Sequence, residues 1–432
     1  MAKSIKIGIL GLGTVGTGVV KLLEQNGDII AQKLGQPLKI SHILVRDLNR
    51  KRDIDVDPNL LTTDPEKIFS DPETNIIVEV MGGVGAAKEY ILKSLKRGKS
   101  VVTANKDLLA LHGKELFNAS ETHGVDLLFE ASVGGGIPII HPLKECLAGN
   151  RIRKVMGIVN GTTNYILTKM TREGRSFSDV LEEAKSLGYA EADPTSDIEG
   201  DDAARKMAIL ASIAFGTRIT YHDVYRQGIS NLTVEDINYA NDLGYAVKLL
   251  GIAREDEDGI EVRVHPAFVP LKHPLAAVSD VFNAVFVEGD AVGETMFYGR
   301  GAGSMPTASA VVGDIIEAAR NFQHHDRGRI TCTCFYDKPI KPMGAVVTKY
   351  YLRLIVKDEP GVLASIAGVF GEREVSLASV VQERALNSSA AELVLITHHV
   401  REQNLQDALK ILADLPVVKQ IASVVRVEGG ED

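Results

Sequence analysis

The chain has 432 residues, 45% of them apolar and 24% charged, with a formal net charge of −9. At roughly 150 residues per domain this is enough for two or three cores, and the acidic balance offers no basic field for a phosphate backbone, so nucleic acid is not an expected partner. Three cysteines are too few for a disulfide framework, no stretch is apolar for long enough to span a bilayer, and Met1 to Ser4 run straight into an apolar segment, so a cytoplasmic protein with no membrane contact is expected.

Over residues 1 to about 135, short apolar runs at 5–10, 40–45, 76–80, 100–103 and 125–129 alternate with helical patterns. That alternation predicts a parallel sheet covered by helices. The first run leads directly into Gly11-Leu12-Gly13-Thr14-Val15-Gly16 and a helix through Val19, Val20, Leu22 and Leu23. Strand, glycine loop and helix together supply the tight turn, close backbone approach and helix N-terminus that a pyrophosphate requires. A lone signature of this kind also fits an ordinary glycine-rich turn. The second run ends Val45-Arg46-Asp47, with Arg50, Lys51 and Arg52 close behind. Arg46 suits a 2′-phosphate and Asp47 free ribose hydroxyls, so NADP is favoured with NAD still open; a solvated basic loop is the third reading.

Residues 130–137, Glu-Ala-Ser-Val-Gly-Gly-Gly-Ile, combine one carboxylate with a glycine-rich backbone. Such oxygen donors suit a hard cation, and a turn using glycine only for conformation is the alternative. His141 and Cys146 nearby are expected to pack. A strand-like run at 152–159 precedes Asn160-Gly161-Thr162-Thr163-Asn164, and helical patterns extend from Ser178 to Phe215, together indicating a second α/β domain. Within them, residues 188–206 gather many carboxylates ahead of Arg205 and Lys206. Asp202 and Lys206, four apart, share a helix face; taken alone they read as a surface ion pair worth at most about 1 kcal/mol.

Gly299, Gly301 and Gly303 precede Ser304, a candidate N-cap, and Pro306, which suits a first helical turn. A second helix start facing a cofactor and a plain connection both fit. Cys332 and Cys334 are expected on one face of a strand in a structural role, since only His324 and His325 lie near enough to complete a metal site. Near Thr348 the pattern changes to a strand at 350–356, a turn at Asp358-Glu359-Pro360-Gly361, a helix with Leu363, Ile366, Ala367 and Phe370 on one face, strands at 375–382 and 391–397, a helix with Leu405, Ala408, Leu409 and Leu412, and a last strand at 417–427. This is the ferredoxin-like βαββαβ order.

In succession, Val101-Val102-Thr103-Ala104-Asn105-Lys106, the loop 130–138, Asn160 to Asn164, the acidic segment 188–206 and Gly299 to Ala308 resemble the signatures of homoserine dehydrogenases, and Val356 to Leu363 resembles the first turn of an ACT domain. The resemblance spans nearly the whole chain. It implies an α/β fold made of a Rossmann-type NAD(P)-binding domain (1–135, completed by part of 300–345), an α+β substrate-binding, catalytic and dimerisation domain (136–320) and an ACT regulatory domain (349–432). It also implies reversible reduction of L-aspartate 4-semialdehyde to L-homoserine, toward threonine and methionine. By the same carry-over, Lys206 is the proton donor, Asp202 positions it, and Lys106 orients substrate and touches cofactor. Glu191, Asp197 and Thr163 join Lys106 around the substrate. Gly11 to Gly16, Arg46, Thr103, Lys106, Gly188 and Gly303 line the cofactor. Glu130 and the carbonyls of Val133, Gly135 and Ile137 hold Na⁺ or K⁺. Ser196 falls where some relatives carry a second acid, which weakens the acidic cluster slightly.

The resemblance further implies a homo-oligomer, dimer or tetramer, and L-threonine as an effector at the ACT turn, with Gln382 contributing. A fused aspartate kinase would need a long additional segment, so the monofunctional form is expected. The rivals are another ACT-tailed dehydrogenase, which would favour a histidine base, and a catalytically silent nucleotide and amino-acid sensor; Lys106 and Lys206 speak against both.

Overall fold

The computed structural model describes residues 4–387 and 390–429, and they form two compact units. The first comprises residues 1–152, 208–222 and 283–337, and the second 153–207, 223–282 and 338–432.

In the first unit six parallel strands, β1 (Ile5–Leu10), β2 (Leu38–Leu44), β3 (Leu61–Thr62), β4 (Thr74–Glu79), β5 (Ser100–Thr103) and β6 (Leu127–Leu128), lie in the order β3-β2-β1-β4-β5-β6. This is the doubly wound order of a dinucleotide-binding sheet, in which ligands sit beyond the carboxyl ends of the strands at the point where the order reverses. β1, β2, β4, β5 and β6 are the expected runs within two residues; β3, only two residues long, carries no periodicity and escaped the sequence. The core is built from Ile5, Ile7 and Ile9 of β1, Ile76 and Val78 of β4, Val19 and Val20 of helix α1 (Thr14–Gln25), and Ala308, Val311, Val312 and Ile315 of the Ser304–His324 helix. Those last residues recur at helical spacing, so a helix far along the chain completes the nucleotide domain. Gly18 makes the contact close, because a Cβ there would meet Ser304 O at 2.5 Å.

Two expectations fail here. The cap of the Ser304–His324 helix is Gly303, not Ser304, whose hydroxyl instead donates to Thr14 O at 2.7 Å. Residues 331–335 form no strand, so Cys332 and Cys334 lie in irregular chain.

In the second unit, Ile152–Ile158 pairs antiparallel with Tyr245–Asp256, which pairs with Gly259–Pro270. The C-terminal segment forms the strands Val347–Lys357, Leu377–Asn387, Ala390–Thr397 and Val418–Val427 with helices Val362–Glu372 and Glu402–Asp414, the predicted βαββαβ order with a short extra strand at Val400–Arg401. Its first helix buries Val362, Ile366, Val369 and Phe370, while Leu363 and Ala367 face outward. The expected stripe was therefore rotated: the buried set follows i, i+4, i+7 and i+8, and Leu363 lies off it.

The boundary near 348 does not detach this segment. Its last strand pairs in parallel with Gly259–Pro270, Ala267 opposite Arg426 and Phe268 opposite Val427. Buried charges cross the same line, with Arg353 on Asp236 and Glu428 on Arg263, each at 2.8 Å. Among the described residues no helix is long and apolar enough to cross a membrane.

Candidate active site

At the nucleotide end, the glycines act through contact distance. A Cβ on Gly16 would meet Gly11 O at 2.2 Å, so the loop can fold onto the first turn of α1 only with glycine there. Gly13 caps α1 with no side-chain hydrogen bond, and the space around it is open. The first amides of α1 are thus left for an anion. Gly11, Leu12, Gly13, Val45, Arg46, Asp47, Arg50 and Arg52 line one cavity of about 520 Å³. Arg46 is exposed at its rim. Asp47 Oδ1 accepts the Asn49 amide at 2.8 Å, and Arg52 folds back onto Asp47 O at 2.6 Å and Arg50 O at 2.8 Å. The residues present fit a dinucleotide.

At the carboxyl end of β4, Glu79 is completely buried, and burial raises its pKa. It accepts Thr103 Oγ1 at 2.7 Å and the Met81 amide at 2.9 Å. Thr103 Oγ1 accepts the Asn105 amide at 3.1 Å, and Asn105 caps the Lys106–His123 helix through Leu108 N, also at 3.1 Å. This chain fixes the start of the helix whose first residue is Lys106. Glu79 was not singled out from the sequence, although an acidic residue closing an apolar parallel strand at its ligand-binding end was a usable signal.

In the loop 130–137, the Glu130 carboxylate accepts the amides of Ile139, Ile140 and His141 at 2.6, 2.8 and 2.8 Å. Its side chain therefore anchors the following segment, and any cation in this loop would meet backbone oxygens; Glu130 O itself accepts only a long bond, 3.5 Å from Val133 N. Gly135 also has a packing role, since its Cβ would fall 2.4 Å from Gly301 O. His141 hydrogen-bonds the buried Asp314 at 2.9 Å, which lifts its pKa to about 10, and it also faces Glu145 and Glu317, while Cys146, expected to pack, is exposed.

The acidic segment 188–206 lies in the second unit. The helical pattern breaks into Phe177–Ser186, Thr195–Ile198 and Asp201–Phe215. Gly188, with φ +74°, follows the first of these and donates to Lys185 O at 3.1 Å, and Glu191 is exposed in the connection beyond it. Asp197 and Asp202 stand on separate helices, and Asn160 joins them: its Nδ2 donates to Asp197 Oδ1 at 2.7 Å and to Asp202 Oδ2 at 2.9 Å. Asn160 Oδ1 caps the Gly161–Glu173 helix through Thr163 N at 2.9 Å and also accepts Thr163 Oγ1 at 2.9 Å. Thr163 thus supports Asn160.

Lys206 Nζ donates to Asp202 Oδ2 and to Val159 O, both at 2.7 Å. Only 12% of the Lys206 side chain and 10% of the Asp202 side chain are exposed, so this is not the surface ion pair the spacing alone allowed. Burial raises the Asp197 pKa; the bond from Asn160 opposes this, while the charge of Asp202 adds to it. The result is an ammonium fixed at a cluster of two carboxylates and a carboxamide. Asn164 serves packing, its Nδ2 reaching the carbonyls of Asp280 and Phe282 at 3.0 Å each.

Comparison with known proteins identifies the family. Residues 11–130 match the family model "Homoserine dehydrogenase, NAD binding domain", residues 138–316 match "Homoserine dehydrogenase", and residues 350–417 match "ACT domain". A homoserine dehydrogenase of Bacillus subtilis is 48% identical over 428 residues, covering 99% of each chain. A crystal structure of a homoserine dehydrogenase from Thiobacillus denitrificans superposes with a TM-score of 0.94 at 44% identity, covering 99% of each chain. A hyperthermophilic archaeal homoserine dehydrogenase mutant in complex with NADPH has a TM-score of 0.61 at 30% identity over 73% of this chain and 97% of its own. The chain belongs to the homoserine dehydrogenase family, NAD(P)-dependent oxidoreductases acting on a CH–OH group, and carries a C-terminal ACT domain.

Proposed function

We propose that the protein reduces L-aspartate 4-semialdehyde to L-homoserine with Lys206 as proton donor, on the way to threonine and methionine. The observation that carries this reading is the Lys206 ammonium held between Asp202 and Val159 O, beside Asp197. A bound nicotinamide supplies the hydride. Lys206 keeps a proton at Nζ within reach of the aldehyde oxygen and stabilises the charge that grows there. Asp202 and Val159 O fix two of the three ammonium hydrogens and leave the third for the substrate. Asp197 and Glu191 offer carboxylates to the substrate ammonium, and Lys106, at the start of its helix, orients the substrate against the cofactor. The protein acts in the cytoplasm as a homo-oligomer. In a cofactor-oxidation assay with aspartate semialdehyde and a panel of other aldehydes, the first should be turned over best. Preference for another aldehyde would overturn the substrate assignment.

NADPH is the favoured cofactor, supported by the exposed Arg46 at the cavity rim and by Asp47, whose carboxylate caps its own turn. Arg46→Ala is expected to raise the KM for NADPH at least about tenfold, the worth of one charge-assisted bond of ~1.5 kcal/mol, and to change the KM for NADH little. Equal effects on both would argue against a 2′-phosphate contact. Na⁺ or K⁺ fits the backbone oxygens of Glu130, Val133, Gly135 and Ile137; activity should then fall when choline replaces both ions, and an indifferent enzyme would remove the cation from the account.

L-Threonine is the proposed effector. Residues 356–363, Gln382 and Leu393 line a cavity of about 350 Å³ at the N-terminus of the Val362–Glu372 helix, where Gly361, at φ +90°, turns the chain into the helix. Open amides there suit an amino-acid carboxylate. Removing everything after 348 would strip partners from buried Asp236 and Arg263, so a point variant is the cleaner test. Millimolar threonine should inhibit the full-length protein, and Gln382→Ala should weaken that inhibition while leaving uninhibited kcat unchanged. Absence of threonine binding by calorimetry would end the regulatory proposal and leave the dehydrogenase intact.

A further inference from the structure

Cys332 and Cys334 lie in the first unit, outside every site described above. Both thiols are free and of intermediate exposure. Arg218 Nη2 donates to Cys332 Sγ at 2.8 Å, and Cys334, two residues on, lines the same cavity. The guanidinium is itself stacked 5.7 Å over the Phe117 ring, and Lys144 Nζ lies over Phe117 and Phe129 at 5.7 and 5.4 Å. These six residues line one largely apolar cavity.

Arg218 and Lys144 therefore share a partly buried cavity with the thiol pair, where their attraction for a thiolate is screened less than in open water. Among the acids nearby, Glu121 accepts the Cys332 amide at 3.1 Å and opposes the thiolate, while Glu145 and Glu317 act on Lys144. The balance favours charge on Cys332. Its pKa is lowered first by the neighbouring Cys334 and then by Arg218 and Lys144, against burial, and the same pairing raises the pKa of Cys334. One sulfur is prepared as a nucleophile and its neighbour is kept protonated beside it. Structural cysteines buried in apolar surroundings have no such partners.

We propose that Cys332 is a peroxide-reactive thiolate and Cys334 its resolving thiol, a modification site separate from the dehydrogenase chemistry. The Cys332 sulfur attacks one oxygen of a hydroperoxide. An S–O bond forms, the O–O bond breaks, and hydroxide or alkoxide leaves, so that sulfur loses two electrons and the peroxide gains them. Cys334 then attacks the sulfenic sulfur. The S–S bond forms as the S–O bond breaks, and water departs with the Cys334 proton. In the disulfide, Cys332 no longer offers Arg218 a thiolate.

Full-length protein is alkylated with iodoacetamide across a pH series, and the tryptic peptide 330–349 is followed by mass spectrometry, with exposed Cys146 as internal control. Cys332 should react with a midpoint at least about one unit below the ~8.5 of a free thiol, and Arg218→Lys or Arg218→Ala should slow that reaction several-fold at neutral pH. Brief hydrogen peroxide treatment should remove two hydrogens from the wild-type peptide, reversibly with dithiothreitol. In Cys334→Ser it should instead leave one added oxygen on Cys332 that dimedone captures. A Cys332 midpoint at or above that of a free thiol, or a peptide left unchanged by peroxide that oxidises Cys146, overturns the proposal. If Cys334→Ser fails to fold, the wild-type pH profile and mass change decide it alone.

Discussion

Lys206→Ala is expected to lower kcat by at least about 100-fold, the usual loss for a missing general acid, while NADPH binding stays near wild type. The reason is local. Asp202 Oδ2 and Val159 O, each 2.7 Å from Nζ, hold the ammonium in one orientation, and Asn160 Nδ2 donates to the same Asp202 oxygen at 2.9 Å. The side chain is only 12% exposed, so water does not readily take its place. Lys206→Arg separates the two roles of the residue. It restores a positive charge beside Asp202, but a guanidinium does not release a proton at working pH. If proton donation dominates, Lys206→Arg should stay close to the alanine variant in kcat; if charge stabilisation alone dominates, it should recover most of the activity. A purified, folded Lys206→Ala enzyme with near-normal kcat would remove the assignment.

The largest expected loss of stability comes from Arg353→Ala. Arg353, on the first strand of the ACT segment, donates through Nε to Asp236 Oδ1 and through Nη1 to Glu392 Oε1, both at 2.8 Å, and through Nη2 to Thr233 Oγ1 at 3.0 Å. Asp236 is fully buried and Glu392 nearly so. Tyr239 donates to Glu392 at 2.7 Å and Tyr351 to Asp236 at 3.3 Å, but neither supplies charge. Removing the guanidinium leaves two carboxylates without a counter-ion in a low-dielectric interior, which costs about 3–5 kcal/mol. At roughly 2–4 °C per kcal/mol for a unit of this size, Tm should fall by roughly 6–20 °C. Arg353→Met keeps most of the packing and should fall nearly as far, because the loss is electrostatic. A shift of less than about 2 °C in both variants would mean that the carboxylates find other partners or take up protons without difficulty.

The elements read correctly from sequence are those with a strong local signal. Ile5–Leu10 and the glycine loop after it combine an unbroken apolar run with a turn whose sterics admit little else, and Gly16 has that role. The C-terminal βαββαβ order is written in short periodic segments and was recovered, with its first helix turned by one position. The misses depend on contacts that local pattern does not carry. Ser304 looks like a cap because of its type, yet a residue 290 positions away takes its hydroxyl. The tie between the C-terminal segment and the middle of the chain rests on Arg353, Asp236, Arg263 and Glu428, whose pairing is set by three-dimensional packing.

The candidate site divides in the same way. Lys206 and Asp202 were legible because four residues on a helix define a shared face. Asn160 was visible as part of a family signature, but its task of joining Asp197 to Asp202 could not be read before both helices were in place. Glu130 shows the converse: its carboxylate, the obvious cation ligand by type, is taken by three backbone amides.

The central claim is hydride transfer to C4 of aspartate semialdehyde. The most direct measurement incubates the purified protein with L-aspartate 4-semialdehyde and NADPH carrying deuterium in both positions at nicotinamide C4, and analyses the amino-acid product by mass spectrometry. The account predicts L-homoserine with one deuterium on C4, formed in step with loss of NADPH absorbance and nearly abolished in Lys206→Ala. Oxidation of NADPH without homoserine, or homoserine free of deuterium, would contradict it.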